Sequence, residues 1–281
     1  DSYQAGNTRY QDFFATEYAM LSTLRNFPKP VIAMMDGYVL GGGFGLAQAC
    51  HIKVTSEKSR FAMPETAIGF FPDVGATHFL SRLDEVGVYM ALTGEQISSS
   101  DALYLDLVDY HVPSERFAEL EAALSAAPIL NPVEIRKIIS TFITHPQESE
   151  LQKRIDLINQ HFSYPHLDEI EHSLAHASDA LNQDWTKKML ALLQQRPLMA
   201  KQVSLKLQQT GQNLSLEKCM QLERDLQDIW LEQGDFIEGV RALIIDKDKN
   251  PQWQTDNEDF EKNAGKILAR LDQAAYRFAL L

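Results

Sequence analysis

The stretch VIAMMDGYVLGGGFGLAQACHIKVTS, residues 31–56, decides the fold class. Residues 31–35 form a short apolar run between a proline and an Asp-Gly pair, which is typical of a buried strand. Three glycines at 41–43 interrupt the chain, and residues 44–50 predict a helix. A second strand, with β-branched residues, follows over 51–56. The order of strand, glycine turn, helix and strand predicts an α/β fold.

The sequence on either side of this stretch predicts mostly helices. Apolar residues at helical spacing predict an amphipathic helix over 12–27, ended by Lys29-Pro30, and residues 60–63 are a candidate third strand. Ser99, Ser100 and Asp101 offer caps for a helix over 102–108. Helical periodicity then recurs over 115–126, 132–143, 149–162, 167–177, 180–195, 198–209, 215–232 and 257–278. We therefore divide the chain into a core over 1–126 and a helical C-terminal region over 127–281.

Composition excludes several classes of function. The chain has 281 residues and a formal net charge of −13 at pH 7. Such a chain repels a phosphate backbone, so we expect no nucleic-acid partner. Its apolar runs are too short to cross a bilayer, and it shows no signal peptide, so we expect no membrane partner and a cytoplasmic location. The two cysteines, Cys50 and Cys219, lack metal-ligand spacing and suit a reducing compartment.

The three glycines can serve either chemistry or packing. Glycine permits positive φ and a close approach to the backbone. A glycine turn that leads from a strand into a helix leaves free N–H groups directed at one point, where a phosphate or an oxyanion can bind. A tight turn chosen for packing explains the same residues. The spacing matches neither G-x-G-x-x-G nor a P-loop, so both interpretations stay open.

Two carboxylates, Glu65 and Asp73, lie in the segment RFAMPETAIGFFPDVG, residues 60–75. Gly69 and Pro72 lie between them, so the chain can turn and bring both acids to one pocket. The surrounding residues are apolar, and a carboxyl group in an apolar pocket has a raised pKa that suits an acid, a base or a nucleophile. The alternative is a pair of surface loop acids, one of which caps a helix that begins near Asp73.

Metal binding has one weak signal. His172 and His176 are four residues apart in a predicted helix. No carboxylate motif such as H-E-x-x-H surrounds them, and a polar helix face explains them better. We therefore expect no metal site.

Residues 29–83, KPVIAMMDGYVLGGGFGLAQACHIKVTSEKSRFAMPETAIGFFPDVGATHFLSRL, resemble the crotonase (enoyl-CoA hydratase/isomerase) superfamily. Within it, FAMPETAIGFFPDVG is similar to the signature of the 3-hydroxyisobutyryl-CoA hydrolase branch. The segment DFIEGVRALIIDKDKNPQW, residues 235–253, resembles the C-terminal signature of the same branch. The resemblance spans the chain from about Phe13 to Trp253.

The resemblance implies a fold and a set of site residues. The fold is a spiral of ββα turns followed by a mainly helical C-terminal region. An acyl-CoA thioester is the implied partner, CoA enters only as part of that substrate, and no separate cofactor is needed. Gly42 matches the family position whose backbone N–H is one of two oxyanion donors. Glu65 and Asp73 match the acidic pair of the hydrolase site, and Glu17 matches a substrate-contacting position, although a solvated helix charge also explains Glu17.

One position separates hydratases from hydrolases in this family. Hydratases carry a catalytic glutamate two residues after the glycine triplet, and this chain has Gly45 there. The resemblance therefore implies hydrolysis of a short 3-hydroxyacyl-CoA, with 3-hydroxyisobutyryl-CoA, an intermediate of valine breakdown, as the first candidate. An enoyl-CoA hydratase or isomerase that acts through Glu65 alone is one alternative. A non-catalytic acyl-CoA-binding protein is another.

Several expectations rest on the family pattern alone. The strand-rich segment and glycine loop that precede the 12–27 helix in the family, and that supply the second oxyanion donor, have no counterpart here, so we expect this chain to be part of a longer protein. A homo-oligomer is open, because crotonase-type folds often form trimers. If the protein comes from a eukaryote, we expect it in the mitochondrial matrix instead of the cytoplasm. The lysines that could bind the CoA phosphates by residue type are Lys53, Lys58, Lys247 and Lys249, and a solvated side chain is the simpler explanation for each.

Overall fold

The strands and helices come from a computed structural model, which describes residues 6, 9–128, 131–178, 182–254 and 258–279. The strands are β1 (Ile32–Met35), β2 (Tyr38–Leu40), β3 (Ile52–Thr55), β4 (Arg60–Ala62), β5 (Ile97–Ser98) and β6 (Tyr110–His111). The α-helices are α1 (Arg9–Arg25), α2 (Gly42–Ala49), α3 (Ala76–Leu80), α4 (Asp84–Thr93), α5 (Ser99–Tyr104), α6 (Phe117–Ala126), α7 (Pro132–Ser140), α8 (Ile155–Phe162), α9 (Leu167–Ala175), α10 (Gln183–Gln195), α11 (Leu198–Gly211), α12 (Leu216–Gln233), α13 (Phe236–Val240) and α14 (Glu258–Ala279). Short 3₁₀ turns cover Glu65–Ile68, Ser114–Arg116 and Gln152–Arg154, and a π-helical turn covers Arg241–Ile245.

These elements form two compact units that alternate along the sequence. One unit contains residues 1–18, 63–95 and 156–281, and we call it the helical unit. The other contains residues 19–62 and 96–155, and we call it the sheet unit. The division of the chain at residue 126 stays a prediction.

The sheet unit is built from two small sheets that share a repeating ββα path. One sheet has the order β1-β3-β6, with all pairs parallel, and the other has the order β2-β4-β5. Strand β1 pairs with β3 in the register Ile32↔Ile52, and β2 pairs in parallel with β4 in the register Tyr38↔Arg60. Each turn of the chain therefore adds one strand to each of the two sheets, and successive turns stack into a spiral.

A continuous apolar core lies within the helical unit. Its fully buried residues come mainly from helices α11, α12 and α14 and include Val203, Leu226, Trp230 and Ile267. Phe70 and Phe71 belong to the same core, although they lie in the segment that joins Glu65 to Asp73. Helix packing thus fixes the segment that carries both candidate carboxylates.

The predicted elements are confirmed with shifts at their ends, the largest in the helix predicted over 149–162, which begins at Ile155 as α8. Helix α2 begins at Gly42 rather than at Phe44, so the glycines form its first turn. Helix α5 begins three residues earlier than predicted because Ser98, not Ser99 to Asp101, is its cap, in a capping box with Asp101. Residues 180–181 and 257 of the predicted helices lie outside the described residues. Among the described residues, no helix is long and apolar enough to cross a membrane.

Candidate active site

The segment between Glu65 and Asp73 forms a compact turn. Glu65 opens a 3₁₀ turn that ends at Gly69, whose φ of 70° lies in the left-handed region that glycine adopts without strain. The backbone N–H of Phe70 donates back to the carbonyl oxygen of Glu65 at 3.0 Å. The chain is therefore turned back on itself at the predicted place, Gly69.

Glu65 is a buried carboxyl group with one free oxygen. Its relative exposure is 8%, and its Oε2 atom has no hydrogen-bond partner among the described residues. Burial, with a smaller contribution from the nearby carboxylate of Glu223, raises the pKa of Glu65 to about 8. A buried polar atom without a partner is costly and is common where a group acts on a ligand. Glu65 thus has the properties of an acid or base that works near neutral pH.

Asp73 is buried to the same degree and lies near other acids. Its relative exposure is 7%. Burial first, and then the charges of Glu65, Glu223 and Glu17, hold the pKa of Asp73 well above its usual value. The side-chain amide of Gln227 donates to Oδ2 of Asp73 at 3.1 Å and opposes this rise. The interpretation of Glu65 and Asp73 as surface loop acids is therefore wrong, because both side chains are buried.

A buried polar network lies beside Asp73. The hydroxyl of Tyr18, on α1, donates to Oε2 of Glu223, on α12, at 2.9 Å. Glu223 also accepts the backbone N–H groups of Gly75 at 2.8 Å and Thr77 at 2.9 Å. The network therefore holds the backbone that follows Asp73.

Aromatic rings form the apolar side of the turn. Phe70 stacks on Phe71 with ring centroids 4.4 Å apart, and Phe71 meets Trp230 edge to face at 5.2 Å. Phe236 lies 4.8 Å from Phe70. Such packing keeps water from this side of the turn, and burial is the main cause of the raised pKa values of the two carboxyl groups.

Glu17 faces the same cluster, whereas Gly42 belongs to the other unit. Glu17 lies on α1 and is half-buried, which raises its pKa, and its charge acts on Asp73. The structure therefore brings Glu17, Glu65 and Asp73 together in the helical unit.

Gly42 lies in the sheet unit, at the start of α2. The N-cap Gly41 has φ 52°, and its carbonyl oxygen accepts the N–H groups of Phe44 and Gly45. The N–H groups of Gly42 and Gly43 precede these and have no acceptor within the helix. Both glycines are exposed, so the start of α2 has the free N–H groups that an oxyanion donor needs.

The four candidate lysines divide into two pairs. Lys53 is paired with Asp109 at 3.8 Å, and Lys58 is paired with Asp36 at 3.8 Å. Lys247 and Lys249 are exposed, and both have left-handed backbone conformations. The first pair is thus already neutralised within the sheet unit.

The two helical histidines stack on each other. The rings of His172 and His176 stack with centroids 4.0 Å apart, and Nδ1 of His176 lies 2.9 Å from the carbonyl oxygen of His172. Within the ranges that the structure describes, no group of three or more His, Cys, Asp or Glu side chains could hold a metal ion. Cys50 and Cys219 are both free thiols.

Sequence reasoning missed Tyr18, Glu223 and Gln227. A signal was present, because Glu223 and Gln227 are four residues apart and lie next to the apolar positions Leu222 and Leu226 of the same helix. Polar residues on an apolar helix face are buried, and buried polar groups need partners. The partners lie about 150 and 205 positions away in sequence, and the sequence does not identify them.

Comparison with known families and proteins gives a consistent result. A family described as Enoyl-CoA hydratase/isomerase matches residues 1–264. The mitochondrial 3-hydroxyisobutyryl-CoA hydrolase of Gallus gallus is 33% identical over 97% of this chain and 72% of its own length. The corresponding protein of Xenopus tropicalis is 32% identical over 90% of this chain and 66% of its own length. The chain therefore spans roughly two thirds to three quarters of these two curated relatives.

Solved structures share the fold. An enoyl-CoA hydratase from Rhodobacter sphaeroides matches with a TM-score of 0.79 and 32% identity, over 94% of this chain and 75% of its own. A carnitinyl-CoA dehydratase from Mycobacterium thermoresistibile matches with a TM-score of 0.79 and 27% identity, over 90% of this chain and 73% of its own. The predicted fold, a ββα spiral with a helical C-terminal region, is confirmed.

Proposed function

The chain belongs to the enoyl-CoA hydratase/isomerase family, and from this premise we propose that it hydrolyses the thioester of a short 3-hydroxyacyl-CoA. The first substrate to test is 3-hydroxyisobutyryl-CoA, whose products are 3-hydroxyisobutyrate and CoA in valine breakdown. The relatives named 3-hydroxyisobutyryl-CoA hydrolase support this substrate. The observation that carries the proposal is the buried pair of Glu65 and Asp73, both with raised pKa values.

Hydrolysis needs a donor for the developing oxyanion. Negative charge builds on the thioester carbonyl oxygen as the tetrahedral intermediate forms, and one well-placed donor accelerates such a step by about 10²- to 10³-fold. We assign the N–H of Gly42 to this role, since it lies at the start of α2 where the helix leaves it without an acceptor.

Glu65 supplies the step that breaks the thioester, by one of two routes. In the first, the carboxylate takes a proton from water, the water oxygen attacks the carbonyl carbon, and the CoA thiolate leaves and is protonated. In the second, Glu65 attacks the carbonyl carbon itself, CoA leaves, and water hydrolyses the resulting anhydride. Trapping with hydroxylamine separates them, because only the anhydride can leave a hydroxamate on the Glu65 side chain, whereas an acyl hydroxamate also forms directly from the thioester.

Asp73 and Glu17 act on the substrate or the water. Burial and the neighbouring carboxylates raise the pKa of Asp73, which favours the protonated form, the form that can donate a hydrogen bond. It either orients the attacking water or holds the 3-hydroxyl group of the acyl chain. Glu17 lies near enough to influence Asp73 and is assigned to substrate contact.

Enoyl-CoA hydration is the second candidate, because the structural relative from Rhodobacter sphaeroides is named a hydratase at 32% identity. Hydration across a C=C bond uses two carboxylates that hold one water. The position of one of them is Gly45, which is buried at the start of α2. Because a glycine stands where hydratases have the second carboxylate, this site favours hydrolysis over hydration.

One assay tests both candidates. The protein is incubated with 3-hydroxyisobutyryl-CoA while free thiol is followed, and crotonyl-CoA hydration is measured in parallel. Thiol release that is lost in Glu65→Gln supports the hydrolase. Hydration without thiol release overturns it, and tight CoA binding without turnover of either substrate indicates a binding protein. Location and oligomeric state stay expectations.

A further inference from the structure

We infer that Gln227 is a positioning residue for Asp73, and that Tyr18 and Glu223 fix the direction in which its amide points. The inference deepens the proposed function and rests on it where catalysis is concerned. Its physical basis is a chain of three buried side chains within the helical unit, which ends at Oδ2 of Asp73.

The direction of the hydrogen bonds in this series of side chains is set at Glu223. The two oxygens of Glu223 accept backbone N–H groups from Gly75 at 2.8 Å and Thr77 at 2.9 Å. The side chain of Glu223 is fully buried and reaches from α12 to the turn that leads into α3, where the two backbone donors favour an acceptor. It therefore also accepts the proton of the Tyr18 hydroxyl at 2.9 Å.

The Tyr18 hydroxyl then has only acceptor capacity left. Its single proton is directed to Glu223, and the backbone N–H of Val74 already donates to its oxygen at 3.1 Å. Burial holds the pKa of Tyr18 well above its usual value, so the hydroxyl keeps its proton. A group that approaches the free lone pair must be a donor.

Gln227 makes that approach with its nitrogen. Nε2 lies 3.4 Å from the Tyr18 oxygen and 3.1 Å from Oδ2 of Asp73. If the amide were flipped, its oxygen would take the place of Nε2 and face the lone pair of the Tyr18 oxygen. Two acceptors would then face each other, so the flipped amide is disfavoured. Gln227 thus donates to Asp73, and Oδ2 is the acceptor oxygen of that carboxyl group.

This direction assigns the proton of Asp73. When Asp73 is protonated, the proton is carried by Oδ1, because Oδ2 receives the amide N–H. The charged groups that act on Asp73 are Glu17 on α1, Glu65 on the turn and Glu223 on α12, and all of them oppose its ionisation. The Gln227 amide opposes this effect and, at the same time, orients the carboxyl group toward its reaction partner.

Titration of Asp73 tests the inference without any substrate. The ¹³C shift of its carboxyl carbon is followed against pH in the wild-type chain, in Gln227→Leu and in Tyr18→Phe. Loss of the amide donor is expected to raise the titration midpoint by about one pH unit or more. Tyr18→Phe keeps the packing and frees the amide to turn, so it should move the midpoint in the same direction by less.

Gln221→Leu is the matched control. Gln221 lies on the same helix, is exposed, and donates to Asp225 on the surface. Its substitution should leave the midpoint unchanged. An unchanged midpoint in folded Gln227→Leu and Tyr18→Phe, or an equal shift in Gln221→Leu, overturns the inference.

Kinetics distinguish this inference from the proposed function. If the wild-type chain releases thiol from 3-hydroxyisobutyryl-CoA, Gln227→Leu should lower kcat about ten- to a hundredfold, with a small change in KM. An unchanged kcat in a folded Gln227→Leu overturns the positioning role in catalysis. If the wild-type chain releases no thiol, the proposed function fails, and the Asp73 titration still decides whether Gln227 orients that group.

Discussion

The indole nitrogen of Trp230 donates a hydrogen bond of 2.9 Å to the carbonyl oxygen of Gly69. This bond joins the C-terminal end of α12 to the turn between Glu65 and Asp73. The segment after α12 makes equally close contact, because a methyl group on Gly69 would lie 2.7 Å from the carbonyl oxygen of Asp235. The C-terminal helices therefore set the shape of the turn that carries both carboxyl groups.

Gly239→Ala tests this contact against a second helical glycine. A Cβ atom on Gly239 would lie 2.1 Å from the carbonyl oxygen of Ile68, within the turn, whereas one on Gly265 would meet nothing within 4 Å. We expect Gly239→Ala to lower the free energy of unfolding by about 1–3 kcal/mol and to reduce thioester hydrolysis. Gly265→Ala should raise the free energy of unfolding by about 0.5–1 kcal/mol. Urea unfolding measures both, and equal effects would show that the close packing at Ile68 does not matter.

Substitution of the two carboxyl groups should separate their roles by magnitude. Glu65→Gln removes the base or nucleophile and should lower kcat about 10²- to 10⁴-fold. Asp73→Asn keeps a hydrogen-bonding group and should cost less, about 10- to 100-fold. Rates of free thiol release with 3-hydroxyisobutyryl-CoA measure both effects.

Glu169→Gln and Asp156→Asn make the same chemical changes at exposed positions of the helical unit, and their rates should match the wild type. Near-wild-type turnover in both Glu65→Gln and Asp73→Asn would refute the assignment of the site.

The sequence predicts the elements whose patterns are local. The apolar run at 31–35 and the glycine triplet are sufficient to locate β1 and the turn into α2. Helix α4 is missed because Val86 to Thr93 are buried on every side, which removes the amphipathic period that marks a helix. Strands β5 and β6 are two residues each, too short to produce an alternating pattern.

The site divides in the same way. Gly69 and Pro72 predict the turn between Glu65 and Asp73, because a glycine can take the left-handed conformation that the turn needs. Tyr18, Glu223 and Gln227 reach Asp73 only through the packing of α1 and α12. Contacts between residues so far apart in sequence depend on the tertiary structure, and no local pattern specifies them.

The pH dependence of kcat/KM should report the ionisation of Glu65. The carboxylate form is required on either route, and with a pKa of about 8 only about one molecule in ten has it at pH 7. We expect kcat/KM to rise about tenfold per pH unit below the midpoint and to level off above pH 8. Initial rates from pH 5 to 10, corrected for hydroxide-catalysed hydrolysis with Glu65→Gln as the background, measure this curve. A midpoint at pH 4–5 would show that Glu65 titrates like an exposed glutamate.

The same raised pKa should make Glu65 a cost to stability at high pH. Burial raises the folded-state pKa above that of the unfolded chain, so the stability that the protonated group contributes is fully present below about pH 4.5 and is lost as the pH rises toward 8. Glu65→Gln keeps the shape of the protonated side chain and cannot ionise. The variant should match the wild type near pH 4 and exceed its free energy of unfolding by about 2–4 kcal/mol at pH 9. Urea unfolding at the two pH values measures the difference. The control variant Glu169→Gln should show no such difference. A Glu65→Gln variant that is no more stable than the wild type at pH 9 would contradict the burial of an ionisable group at this position.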